Sequence, residues 1–587
     1  MNFFKELKRR NVIKETLAYL VVSWVLLQVI SIVAPIFEAP GWVLKIVFFF
    51  LVLGLPFWIF FSWTYQVTTE GFKKTTKTYE DQAVIMAANK RLNIIIIITL
   101  FIAIAVTFVN KPTEATTYRT IVTNDLALNH SIAVLPFDDN SPGKDQEWFT
   151  DGMTDALIAE LSKINSLIVP SHQSIKKYKG TTKTLPEIAT ELHVGSVIVG
   201  TASKVNDSIR IRAQLLDAND KLIWSESYDE GFEHALQLQH NIAKEISKEI
   251  NIVLTPADLA LFTKPDSVNN KALEADMKGM HILSSTHTME DLEKATDYFK
   301  SAIDIDPNFA RAYAHLALSY LTYPYYGGKN NSESFQLAEE PNDKALSLNP
   351  QLALAHLNRF KSLYYYKWDW DGALSALEMA QKLAPNNKEV LSNLIFYYIV
   401  SGKFDKAFKT CNTIKDLEPS SYSYWFYKSL IQFHSRNFEG CLNTIDEGLN
   451  LHPDFYRLIE LRSWCLSVIN RHEEAISSYK EFLSFLEGRS SSISNGLAGY
   501  VFARAGLKKE ALKQLDIVQG PGAAYCDPVY IGMIHMGLGD KDLAMEYFYK
   551  GYREHSLEIV FLKRAPIFDP MRGDPRFEKL IQSLKFP

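Results

Sequence analysis

Four prolines in the C-terminal half of the chain recur at an almost constant interval. Pro350, Pro385, Pro419 and Pro453 are separated by 35, 34 and 34 residues. Because proline cannot continue the interior of a helix, a constant interval indicates repeated stops in a helical pattern. A period of about 34 residues is typical of stacked helix–turn–helix hairpins, which usually bind other molecules rather than catalyse reactions.

The residues before these prolines share a common frame. Ala295, Phe299 and Ala302 have the spacing of one helix face, and Pro307 follows five residues later. The same frame recurs as Ala373, Leu377, Ala380 and Pro385, as Ala407, Cys411, Ile414 and Pro419, and as Cys441, Ile445, Gly448 and Pro453. Small residues let neighbouring helices approach, and the larger residue fills the gap between them. The pattern resembles the tetratricopeptide repeat, which predicts an all-α solenoid of about eight hairpins over residues 271–556.

The N-terminal region holds three long apolar runs. They are Leu17–Phe37, Ile46–Tyr65 and Leu92–Val109, of 21, 20 and 18 residues. Each is long enough to cross a bilayer core of about 30 Å, so the sequence predicts three transmembrane helices. For the third run, which is rich in isoleucine, a buried strand or core helix is the alternative.

Basic residues predict the orientation of these spans. Five Lys or Arg residues precede the first span, and five lie between the second and third, at 66–91. Only one lies between the first two spans, and two lie at 110–130. Positive residues favour the cytoplasmic side, so we expect a cytoplasmic N-terminus and an extracytoplasmic segment from 110 to 587. The predicted spans contain no Asp, Glu or His, which favours an anchor over a transporter.

A different pattern occupies residues 131–250. Apolar runs of strand length alternate with helical stretches, and Ile209, Ile211 and Ala213 alternate with Arg210 and Arg212. This period of two predicts a strand with one solvated face in a small α/β domain.

Several blocks of this region carry a family resemblance. The segments SIAVLPF, WFTDGMTDALIAELSK and VGSVIVGTASKVNDSIRIRAQLLDANDKLIWSESYD resemble a TolB-N-terminal-like, FlgO-like domain. The block FFKELKRRNVIKETLAYLVVSWVLLQV resembles the membrane anchor of the same architecture, found in bacterial CadC-like and cyclase-associated proteins. The resemblance implies a bacterial inner-membrane protein whose residues 110–587 are periplasmic. Those relatives often begin with an effector domain, whereas 16 residues precede the first predicted span, so we expect no effector in this chain.

Together these patterns predict a multi-domain fold of three transmembrane helices, a small α/β domain and an all-α solenoid. The expected segments are an anchor at 1–110, a linker at 111–130, the α/β domain at 131–250, a linker at 251–270, the repeats at 271–556 and a C-terminal cap at 557–587.

Composition and motifs narrow the function. The net charge of −5 and the lack of a broad basic stretch argue against nucleic-acid binding. The sequence lacks HExxH, GxSxG, Walker A and GxGxxG motifs, so we predict no catalytic residues, cofactor or metal site. The four cysteines, none in a CxxC pair, are interpreted as buried thiols, with a bridge between Cys411 and Cys441 as the alternative.

First helices line the concave side of a hairpin solenoid. The repeat frame places five apolar side chains there: Tyr365, Phe396, Phe426, Leu430 and Phe433. An apolar groove suits an amphipathic helix or an extended apolar peptide, so we expect a protein or peptide partner. The alternative is that these side chains belong to the core between helices.

The leading functional hypothesis is therefore a membrane-anchored scaffold that binds a protein or envelope component. An alternative is a transmembrane sensor whose α/β domain detects a small molecule and signals to a separate cytoplasmic effector. A nucleotide cyclase is the third hypothesis, and we disfavour it because the predicted cytoplasmic share of the chain is too small for that catalytic core. The sequence leaves the oligomeric state open.

Overall fold

A computed structural model describes most of the chain after residue 130. The described residues are 12–36, 51, 54, 58, 65–68, 71–74, 130–164, 166–250, 268–285, 288–326, 330–418, 421–486, 492–521, 523 and 525–587. The chain divides into two compact units, Met1–Ile121 and Val122–Pro587.

In the first unit, α1 spans Val12–Ile36, and the strands β1 (Tyr65–Thr68) and β2 (Gly71–Lys74) pair antiparallel. Among the described residues, no helix combines the length and the apolarity required to cross a membrane. A span needs roughly 20 mostly apolar residues in one helix. The predicted fold class, with its three transmembrane helices, and the predicted inner-membrane localisation are therefore wrong. The second predicted span lies almost wholly, and the third wholly, outside the described residues.

The second unit begins with a small α/β domain. Its strands are β3 (Ile132–Val134), β4 (Asp138–Asp139), β5 (Ser196–Val205), β6 (Ser208–Asp217) and β7 (Leu222–Gly231), and its helices are α2 (Glu147–Leu161), α3 (His172–Ile175), α4 (Leu185–Leu192) and α5 (Ala235–Glu249). The sheet order is β3-β5-β6-β7, with β3 and β4 parallel to β5 and the remaining pairs antiparallel.

Alternation along β6 shows which face of the sheet is covered. Ile209, Ile211 and Ala213 are fully buried, while Arg210 and Arg212 are exposed. Helix α2 contacts β5, and α5 contacts β7, so these helices cover the apolar face. Burial of that face is the main stabilising term for the layer.

Sixteen further helices form eight consecutive pairs in the described part of the repeat region. The first helices of the pairs are α6 (Asn270–Ser285), α8 (Ala310–Thr322), α10 (Ala353–Lys361), α12 (Lys388–Val400), α14 (Tyr422–His434), α16 (Tyr456–Val468), α18 (Ser492–Arg504) and α20 (Pro528–Gly537). The second helices are α7 (Met289–Ile305), α9 (Asn331–Leu348), α11 (Trp370–Leu383), α13 (Phe404–Leu417), α15 (Phe438–Leu451), α17 (His472–Phe485), α19 (Lys508–Gln519) and α21 (Lys541–Arg553).

Two features complete this solenoid. A π-helical segment, Ser362–Lys367, extends α10, and the chain ends with two 3₁₀ turns (Leu557–Phe561 and Pro566–Met571) and α22 (Pro575–Ser583). Phe568 and Phe577 of this tail lie 5.6 and 6.0 Å from the ring of Phe548 in the last pair.

The α/β domain and the first repeats share one hydrophobic core. Buried residues of the domain cluster with Ala272 of α6, Ala302 of α7, and Phe309 and Ala312 at the start of the second pair. A separate large cluster runs from Leu357 to Leu584 through the later pairs. Contiguous cores of this kind make the domain an integral part of the second unit.

Candidate functional site on the inner surface of the repeats

The first helices of successive pairs lie side by side. Helix α12 contacts α14, α14 contacts α16, α16 contacts α18, and α18 contacts α20. The elements closest together in a curved stack of hairpins are those on its concave side. The first helices therefore form the inner surface of the array.

The C-terminal tail returns to the middle of the array. The indole Nε1 of Trp370 donates to the carbonyl oxygen of Leu584 at 2.9 Å, and its ring lies 5.2 Å from that of Phe586. The neighbouring Trp368 stacks on Tyr552 at 4.8 Å and on His555 at 4.6 Å. These contacts join residues about two hundred positions apart, so the superhelix closes on itself around its inner surface.

Three of the five residues predicted for the groove lie in one partly accessible region. Tyr365, Phe396 and Phe426 are half-buried. Tyr427 connects two of them, because its ring lies 6.0 Å from Phe396 and 5.4 Å from Phe426. Phe396 also lies 6.2 Å from Phe561 of the tail.

The other two predicted residues lie between helices. Leu430 is 6% exposed and Phe433 is 1% exposed, and both belong to the large core of the later repeats. Both therefore lie in the interhelix core, which was the alternative interpretation of the sequence.

Polar side chains complete this surface. Arg457 lies 5.4 Å from the ring centroid of Phe426 and 3.7 Å from the carboxylate of Glu460. Tyr530 donates its hydroxyl to Glu558 at 2.8 Å. We call the following residues the inner cluster: Tyr365, Phe396, Phe426, Tyr427, Arg457, Glu460, Asp527, Tyr530 and Glu558.

Burial and neighbouring charge disturb the acids of the inner cluster. Burial, followed by the negative charge of Asp527, raises the pKa of Glu558 to about 7, although Tyr530 and Arg457 oppose the shift. Burial also raises the pKa of Asp527 and that of Glu460. Glu460 and Glu558 both interact with the Arg457 guanidinium, and Asp527 acts on Glu558, so the inner cluster holds three carboxyl groups with raised pKa values and one guanidinium.

Sequence reasoning missed the polar half of the inner cluster. Glu558 belongs to the segment that we expected only to cap the last hairpin. Arg457 is the second residue of α16, a helix from which the repeat frame placed no apolar side chain in the groove. The charges of Arg457 and Glu460, one turn apart on α16, were the only local signal for this half of the cluster.

The inner cluster offers no metal centre. Across the described part of the chain, no group of three His, Cys, Asp or Glu side chains is arranged to hold a metal ion.

Comparison with protein families supports the two folded regions. Residues 128–245 match the second domain of the HilA/YgeH-like transcriptional regulators, and residues 531–553 match a tetratricopeptide repeat model. The chain is thus a tetratricopeptide repeat protein with a HilA/YgeH-like domain. Its resemblance to TolB-N-terminal-like and FlgO-like domains stays a prediction.

Two curated proteins share part of the chain. The putative adenylate cyclase 3 of Rhizobium meliloti (strain 1021) is 31% identical over 193 residues, which are 33% of each protein. The BBSome complex member BBS4 homolog of Drosophila melanogaster is 22% identical over 211 residues, which are 36% of this chain and 42% of the homolog. The chain thus spans about a third of the first relative and 42% of the second.

Solved repeat proteins resemble the chain only distantly. A tetratricopeptide repeat protein from Parabacteroides merdae is matched along its full length, with 46% coverage of this chain, 17% identity and a TM-score of 0.36. Yeast Tom70 is matched over 76% of its chain and 59% of this one, with 17% identity and a TM-score of 0.35.

Proposed function

We propose that the inner surface of the repeats binds a peptide segment carrying both apolar side chains and Lys or Arg. The observation that carries this proposal is the inner cluster itself, where half-buried aromatic rings border three carboxyl groups and one guanidinium. Tetratricopeptide repeats form protein-interaction scaffolds, so a protein partner is the general expectation for this surface.

Charge sets the chemistry of the partner. A lysine or arginine of the peptide would favour the ionised form of Glu558 and offset its repulsion from Asp527. The rings of Phe396 and Tyr427 would contact apolar side chains, and a cation over such a ring contributes about 0.5–2 kcal/mol. An acidic peptide carries the same sign of charge as these carboxylates, so they would repel it.

Fluorescence anisotropy with labelled peptides tests this proposal. A peptide that alternates Leu with Lys is expected to bind, while the matched peptide that alternates Leu with Glu is not. The Glu558→Gln variant should weaken binding of the basic peptide about tenfold at pH 8, as expected for loss of one charge-assisted contact.

Glu290 supplies the matched control for this experiment. It lies on α7, its side chain is 77% exposed, and it pairs only with Lys294 of the same helix in the described contacts. Glu290→Gln should leave the affinity unchanged. Equal binding of the acidic and basic peptides, or equal effects of the two substitutions, would refute the proposal.

The activity in a relative's name does not transfer with the match, because the shared segment covers a third of the putative adenylate cyclase. We propose a non-enzymatic scaffold. Formation of cyclic AMP from ATP by the purified chain would contradict that assignment.

The sensing of a small molecule by the α/β domain is a second candidate function. One observation favours it: a cavity of about 560 Å³ lies between the α/β domain and the repeats. Pockets of a few hundred Å³ with convergent polar groups are the usual form of small-molecule sites.

A further inference from the structure

The cavity lies where the α/β domain meets three successive repeats. One wall comes from α2, the start of α3 and the start of α5, and the opposite wall comes from α8, the turn before α10 and the region around the start of α12. Both walls belong to the unit Val122–Pro587.

Direct hydrogen bonds hold the two walls together at one side of the cavity. The backbone N–H of Ser171 donates to Glu418 at 2.7 Å, and the side-chain amide of Asn386 donates to the carbonyl of Leu167 at 2.8 Å. These contacts fix the domain against the repeats, so the cavity is bounded by two packed surfaces.

Each carboxylate that lines the cavity already has a basic partner. Asp155 pairs with His172, Glu160 with Lys163 at 2.5 Å, and Glu418 with Lys388 at 2.8 Å. The acidic groups of the walls are therefore neutralised by their neighbours.

The basic side chains that line the cavity outnumber its carboxylates, and two of them share one buried aspartate that does not line it. Arg311 and His315 both bind the same buried carboxylate, Asp276, at 2.9 and 2.6 Å. Arg311 uses Nε and one terminal nitrogen for this contact, and its side chain is 29% exposed. The basic side chains that line the cavity are Lys163, His172, His240, Arg311, His315 and Lys388.

An apolar surface adjoins these basic groups. Ile158 on the domain wall and Leu352, Leu354, Leu391 and Ile414 on the repeat wall also line the cavity. A ligand that fills the space therefore needs an apolar body in addition to a charged group.

We propose that this cavity binds a small organic anion with an apolar body, whose carboxylate or phosphate group lies against Arg311. This inference rests on the second proposed function, because it assigns a ligand class to the sensing site. The ligand would contact both walls at once, so its binding would tighten the α/β domain against the repeats. A guanidinium donates in a planar fork that matches carboxylate and phosphate geometry.

Four probes of similar size separate charge from apolar contact. They are phenyl phosphate, benzoate, benzyl alcohol and benzylamine, each titrated into the full chain by calorimetry at constant ionic strength. We expect saturable millimolar binding of at least one anionic probe, about tenfold weaker binding of benzyl alcohol, and none of benzylamine. A preference between phenyl phosphate and benzoate would identify which acidic group the ligand carries.

Two variants locate the binding. Arg311→Gln is expected to weaken the anionic probe about tenfold, and Ala159→Trp, which adds a large side chain to the cavity wall, is expected to abolish binding. Arg210→Gln is the matched control, because Arg210 also pairs with an aspartate, Asp229 at 2.6 Å, but lies on the exposed face of β6. If Arg311→Gln fails to fold, Ala159→Trp decides the location.

The outcomes separate the ligand class from the sensing function. Binding of benzylamine or benzyl alcohol that equals the anions, and that Ala159→Trp abolishes, would keep a small-molecule site but overturn its anionic ligand. No saturable binding of any probe, or binding that Ala159→Trp leaves unchanged, would overturn both.

Discussion

Glu558 gives the sharpest test of the inner cluster, because its raised pKa links the charge of that surface to stability. Burial and the charge of Asp527 raise the pKa of Glu558 from 4.5 to about 7. An acid whose pKa is higher in the folded state binds its proton more tightly there than in the unfolded chain. Glu558 therefore lowers the free energy of unfolding progressively as the pH rises from about 4.5, and this destabilisation is complete above about pH 7.

The size of this cost follows from the shift. Each pKa unit corresponds to about 1.4 kcal/mol. Ionised Glu558 therefore lowers the free energy of unfolding by at most about 3 kcal/mol. The side chain of Glu558 is partly exposed, and solvent screening reduces the effect to about 1–2 kcal/mol.

The Glu558→Gln variant removes the charge and keeps an oxygen that can accept from Tyr530. We expect it to be more stable than the wild-type chain by about 1–2 kcal/mol at pH 8 and equally stable near pH 4.5. Urea unfolding of both proteins across this pH range measures the difference, with Glu290→Gln as the exposed control. A difference that does not grow with pH, or that grows equally in the control, would refute the reasoning.

Three substitutions test other contacts, each by urea unfolding or proteolysis. Asp276 is 1% exposed, and Asp276→Asn removes the negative charge that pairs with Arg311 and His315. The substitution should lower the free energy of unfolding by about 3–5 kcal/mol, and a loss below about 1 kcal/mol would contradict the ion-pair assignment. Gly279→Ala places a Cβ 2.6 Å from the buried ring of Phe299, and the clash should outweigh the gain in helix propensity, with a net loss of about 1–2 kcal/mol. A more stable Gly279→Ala protein would contradict that geometry. Trp370→Ala removes the ring that contacts Phe586 and should expose α22 to limited proteolysis, while Trp370→Phe should lose only about 1 kcal/mol; equal protection of all three proteins would argue against closure of the array.

The sequence by itself determined the local elements of the second unit. Proline spacing and the small–large–small frame predicted the solenoid because they depend on one helix and its immediate neighbour. The alternation of Ile209 and Ile211 with Arg210 and Arg212 likewise predicted a strand, since β6 buries every second residue. Apolar length alone was a poorer guide, and the prediction of three transmembrane helices from it was wrong.

Only the tertiary structure decided which residues share the inner surface and the cavity. The small rotation between successive hairpins accumulates along the array. It brings Trp370 within hydrogen-bonding distance of Leu584, and it brings Arg457 close enough to Glu558 for their charges to interact. The same accumulation places Arg311 and Lys388 on one wall facing the α/β domain. A repeat period records how each hairpin meets the next, whereas these contacts depend on the sum of many such steps.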